Sequence, residues 1–178
     1  MSDYDVIFRV SKSLRSDILT ALEGIPGLNL TPGGGAERIS AGLPKSASGG
    51  GVIASLYLYR VDVAPHLRPQ PLDPINDRRH SPPPTLLQLR YLFTPLSGDE
   101  ANNQLMLGRV LQYLGDSPVL SVPEELQGGA ESHASECRMM SDTLSTEQFA
   151  LLWTSFGTPY RAGLPLLVEG IAMERAAA

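Results

Sequence analysis

The chain has 178 residues, of which 42% are hydrophobic and 19% charged, the proportions of an ordinary globular protein and not of a disordered one. Its 14 basic and 19 acidic residues give a net charge of −5 with no basic stripe, which argues against DNA or RNA as the main partner. One cysteine, Cys137, excludes an internal disulfide framework, and the lack of a secretion signal or a long apolar run points to a cytoplasmic protein without direct membrane insertion.

Residues 5–24 have helical spacing. Val10, Leu14, Ile18, Ala21 and Ile25 recur at steps of four and three, Ile7 joins them, and Gly24 and Pro26 supply the stop. Phe8 and Leu19 fall on the other side of the wheel, with Lys12 and Arg15 between them. Those four residues are expected to form a second contact surface, for another subunit. Residues 31–51 are rich in glycine and serine. Lys45-Ser46 suggests a phosphate loop, but Pro44 stands where such a loop needs glycine, so a plain loop flanking a short strand near residue 40 is expected.

VIASLYLYRVDV, residues 52–63, reads as a strand covered on both sides at its start. Ile53, Tyr57, Tyr59, Val61 and Val63 lie on one face, and Val52, Ala54, Leu56 and Leu58 on the other. A segment with seven prolines follows, residues 65–84, and is the most basic part of an acidic chain. It is expected to be an arm that reaches a neighbouring subunit or another partner through Arg68, Arg78, Arg79 and His80. TLLQLRYLFTP then puts Leu87, Leu89, Tyr91 and Phe93 on one face of a strand ended by Pro95.

Ser97 and Glu100 have the spacing of a capping box before a helix with Leu107, Val110, Leu111 and Leu114 inward and Arg109 opposite. Gly108 in that helix suggests a close backbone approach. Residues 121–136 read as a loop, CRMMSDTL as a weaker strand, and Ser145/Gln148 as a second capping box ahead of Phe149, Leu152, Trp153 and Phe156. YRAGLPLLVEGIAM reads as a last strand whose Pro165 suits an edge or a bulge. The order predicts one α/β (α+β) domain over 1–178, a mixed sheet packed with about three helices.

Chemistry is sparse. The three histidines and one cysteine cannot supply four zinc ligands of the usual kind, and GxSxG, HExxH and GxGxxG are absent, so neither a cofactor nor a metal is expected. His133 and Cys137 are four apart, which leaves a small thiol-dependent hydrolase as the enzymatic alternative and a free adaptor module as another.

Several elements carry a resemblance. Leu89-Arg90-Tyr91-Leu92 with Thr94-Pro95, then Leu107-Gly108-Arg109, Gln112, Leu114 and Pro118-Val119-Leu120, resemble the cap family of contractile injection systems, phage-tail-like particles related to antifeeding prophages and virulence cassettes. LYLYRV before them, and ELQ and PYR after them, occur in similar order. The resemblance implies a tail-terminator-like α/β domain without catalytic activity. It also implies copies forming a ring, generally a hexamer, that closes the apical end of the inner tube, anchors the last sheath ring and is incorporated into the particle. AGLPLLVEG departs from the more regular strand the family leads one to expect after Tyr160-Arg161.

Overall fold

The computed structural model describes residues 4–26, 38–45, 51–64, 85–120 and 137–173. In chain order these form α1 (Val6–Glu23), β1 (Ile39–Ser40), β2 (Ala54–Val63), β3 (Thr85–Pro95), α2 (Glu100–Asp116), β4 (Val119–Leu120), β5 (Cys137–Ser141), α3 (Thr146–Phe156) and β6 (Leu164–Met173). The six strands make one sheet in the order β1-β2-β3-β6-β5-β4. Only β1 and β2 run parallel; the other neighbours are antiparallel. The expected mixed sheet with three helices is what the chain forms, with the short strand near residue 40 in place. The 31–51 segment lies partly, and the 65–84 arm wholly, outside the described residues.

β3 is central, and its alternation decides the layering. Leu87, Leu89, Tyr91 and Phe93 point to one side, all at most 3% exposed, and join Val10, Leu14, Ile18 and Leu22 of α1 in the main core. The Tyr91 hydroxyl and Ser11 Oγ share a hydrogen bond of 2.8 Å, so the one polar tip on this face is satisfied. Leu19 does not lie on an exposed surface, as the wheel suggested, but is 6% exposed and part of the same cluster. The wheel assumes a single buried side; here Ile39 of β1 adds a second wall, and Arg15, on the Leu19 flank, reaches the Ile39 carbonyl at 3.4 Å.

α2 packs beside α1 and is tied to it by two polar contacts. Arg109 Nε donates to the Ala21 carbonyl at 3.0 Å, and the Tyr113 hydroxyl donates to Asp17 Oδ2 at 3.3 Å. The buried stripe of α2 is Asn103, Met106, Val110 and Leu114, a narrower sector than expected. Leu111, one residue round from Val110, is 48% exposed. Its N-cap is Asp99, whose side chain accepts from the Ala101 N–H, and not Ser97. Gly108 has no close neighbour: a Cβ there would meet nothing within 4 Å.

Two bulges reset which side chains face which side. Leu58 pairs with Tyr91 but Arg60 with Arg90, so β2 carries an extra residue and Val61 and Val63 move to the face of Leu58, not that of Tyr57 as strict alternation had it. On β6, Val168 pairs with Leu89 and Ile171 with Leu87, with Gly170 at φ 83° in between. The glycine supplies the left-handed backbone the bulge needs and keeps Ile171 in the core. β6 is thus a ten-residue strand in spite of its irregular sequence. Pro165 sits in this interior strand and not at an edge. Its carbonyl accepts from the Asp142 N–H, just past the last residue of β5, so the missing proline N–H faces that same residue and removes no bond from within the β5–β6 ladder.

Candidate functional site

The second face of the sheet is built on different lines. Leu92 and Tyr57 form a small apolar cluster with Trp153 and Phe156 of α3. α3 is set there by its termini. Ser145 and Gln148 form the full reciprocal capping box, and Gly157 ends the helix at φ 62°. An aromatic chain runs outward from this cluster. Tyr57 packs edge-on to Phe156 and Phe156 to Trp153, while Trp153 and Phe149 both lean on Tyr160, which is 67% exposed.

Beyond α3 the same face carries charge. Arg60 and Arg90 stand opposite each other across β2 and β3, an arrangement that costs stability unless an anion lies between them. Asp62 fills that place, accepting from Arg60 Nε at 2.8 Å and from Arg90 Nε at 3.2 Å. Arg60 beside it is the main cause of an Asp62 carboxyl held below the ordinary value. Arg90 also pairs with Asp142, which accepts in addition from the Tyr59 hydroxyl. The hydrogen bond that Arg90 donates to Asp142 is the main cause that raises Arg90 further, and burial first, then the Asp142 charge, raises Tyr59. Gln88 donates to Glu169 in the next row. The result is a ladder that locks β2, β3 and the β5–α3 corner together. Its hydrogen-bonding groups are engaged with one another.

A cleft of about 330 Å³ lies at the end of the sheet, lined by Pro95, Glu100, Asn103, Pro159, Tyr160, Arg161 and Ala162. Gly163 lets this wall approach, since a Cβ there would come within 3.1 Å of the Phe93 carbonyl oxygen. Asn103, 7% exposed, donates its amide to the Ser97 carbonyl and to Glu100 Oε2. Both partners are acceptors, so the amide orientation is fixed and the buried Oδ1 is left without a donor. Nothing in the sequence brings Pro95–Asn103 together with Pro159–Ala162; only the pairing of β3 with β6 does.

The residues expected at an interface divide. Phe8, 62% exposed, and Lys12 share an outward stripe with Tyr4, 82% exposed, a residue that the helical wheel did not include. Arg15 turns partly inward, and Leu19 is core. Arg68, Arg78, Arg79 and His80 lie outside the described residues, as does His133. Cys137 packs at the start of β5, 1% exposed, and burial pushes its thiol up to about 11. That is the reverse of an activated nucleophile. Among the described residues no group of three or more His, Cys, Asp or Glu side chains could hold a metal ion, and no helix is long and apolar enough to cross a membrane.

A layer of two helices on one face of a mixed, largely antiparallel sheet, with a third helix on the other and no catalytic constellation among the described residues, defines an α+β domain whose distinctive surfaces are suited to contact. Residues 10–178 match the Pvc16 N-terminal domain family, and the chain belongs to that family. No curated protein matches it. Among solved structures it is similar to the sheath/tube terminator of PVC, an extracellular contractile injection system, in its extended state. The TM-score is 0.62 and the identity 16%, over 96% of this chain and 57% of that one. It is also similar to the tube-terminating cap of the anti-feeding prophage, with a TM-score of 0.52 and 16% identity over 79% of this chain and 48% of that one. The chain thus spans about half the length of the structures it matches.

Proposed function

We propose that this chain is a structural, non-catalytic terminator of a contractile injection particle, binding the end of the inner tube and the last ring of sheath. The observation that carries the reading is the family match over residues 10–178, in a fold that both terminator structures share. The mechanism is steric and interfacial: the protein occupies the growing end and presents no equivalent surface in turn. Copies form a ring, a hexamer in this reading, through heterologous contacts in which two different faces of one subunit meet its neighbours. One such face is the Tyr4/Phe8/Lys12 stripe with Arg15 beside it; the other is the arm of residues 65–84 with Arg68, Arg78, Arg79 and His80. The protein is made in the cytoplasm and built into the particle there.

Deleting the gene and measuring tube lengths by electron microscopy tests this directly. Tubes of scattered and excessive length, with sheath lost from the apical end, are expected. A length distribution identical to that of the parent particle would overturn the reading.

A further inference from the structure

The cleft at the end of the sheet has the makings of a receptor for peptide. Tyr160, 67% exposed, lines it together with Pro95 and Pro159, and Glu100 and Arg161 give it one charge of each sign. Arg161 has no hydrogen bond or ion pair among the described residues. Aromatic and proline walls of this kind suit proline-rich chain, whose extended form loses little entropy on docking. An exposed carboxylate such as that of Glu100 suits an arginine.

This chain contains a segment of that chemistry. Residues 65–84 include seven prolines, three arginines for Glu100, and the acids Asp73 and Asp77 for Arg161. The arginines cannot be received at home. The segment leaves at Ala64 and returns at Thr85, and these ends stand side by side, the Ala64 N–H donating to the Leu86 carbonyl at 2.9 Å. At a full extension of ~3.6 Å per residue the Arg78 backbone lies at most ~25 Å from the tether at Thr85, and that of Arg68 at most ~14 Å from Ala64. The cleft lies at the opposite end of β3, past Pro95, and the length of that strand alone is ~34 Å at ~3.4 Å per residue. The arginine backbones of a loop pulled taut would stop ~9 Å short of Pro95.

We propose that the Asn103/Tyr160 cleft is the socket for residues 65–84 of a second copy of this chain, with prolines stacked on Tyr160 and an arginine donating to Glu100. The contact joins one end of a subunit to the other end of the next, a head-to-tail geometry that propagates from copy to copy. It rests on the ring-forming terminator reading for its purpose, though not for its chemistry.

The test is a fluorescein-labelled peptide of residues 65–84 titrated with dilute full-length protein and followed by anisotropy. Saturable binding is expected, weakened at least tenfold by Tyr160→Ala or Glu100→Gln in the protein and by Arg78→Glu with Arg79→Glu in the peptide. Tyr160 is a surface residue, so its variant keeps the fold, and a thermal melt checks that of Glu100→Gln. No saturable binding, binding untouched by Tyr160→Ala, or equal binding of a scrambled peptide would each overturn the proposal. The assay contains no tube, so its failure leaves the terminator reading standing. Unaltered tube lengths in the gene deletion would leave the peptide result standing in turn.

Discussion

The two faces of the sheet are built to different standards. Under α1 and α2 lies a continuous core in which Leu14, Ile18, Leu22, Leu89, Phe93, Val168 and Ile171 are fully buried. Under α3 only Leu92, Trp153 and Phe156 reach that state, and the rest of the face is a charged ladder and half-exposed aromatics. The first face holds the molecule together. The second, with the cleft beside it, trades burial for accessible groups, which suits contacts made after folding.

Truncation is the strongest way to break this contrast. Phe93→Ala should cost about 3–5 kcal/mol, the range for a fully enclosed aromatic, in urea unfolding. Trp153→Ala should cost about 2–3 kcal/mol, because the gap it leaves lies near the surface and can be filled by solvent. Equal losses would mean that the two faces are equally built.

A pH series sharpens the comparison when the parent chain is set against Cys137→Ala, because burial also raises Tyr91 and Tyr113 on the core side and Tyr59 on the other. The Cys137 thiol would ionise near 9.0 in an unfolded chain and near 11 when buried. The stability gained by keeping it neutral is therefore whole below pH 9 and is lost as pH rises toward 11, a fall on the order of 2–3 kcal/mol. Urea unfolding at stepped pH should show that slope in the parent chain and a flatter one in Cys137→Ala. Iodoacetamide at pH 7.5 should leave folded Cys137 almost unmodified.

The smallest effects concern helix ends and surfaces. Ser145→Ala removes half of the α3 capping box and should cost about 1 kcal/mol. Gly108→Ala, with open space around it, should stabilise the isolated chain by up to about 1 kcal/mol. Thermal melts of both variants check the signs. A destabilising Gly108→Ala would restore the close approach that the sequence suggested.

Much of the framework was legible in advance, because alternation in β3 and the three-and-four spacing of α1 and α2 report directly on what is buried. The α3 box was legible because Ser145 and Gln148 are local partners. The misreadings share a cause. Val61 and Val63 were assigned the wrong face because a bulge at Tyr59/Arg60 adds one residue without any marker in composition. Leu19 was misplaced because α1 meets a second wall at Ile39, and Leu111 because the buried sector of α2 is narrower than its apolar stripe. Asp99 displaced Ser97 as the cap by a shift of two residues in the helix start. The cleft was invisible, since its two halves are joined only through strand pairing between distant segments.

The Arg109 clasp bears on the order in which the molecule can form. The last turn of α1 contains no basic side chain, and the cation that meets its Ala21 carbonyl belongs to a residue 88 positions later. An α1 that forms on the ribosome before α2 has emerged therefore lacks that cation at its C-terminal end and has only its local bonds to the Leu22 carbonyl.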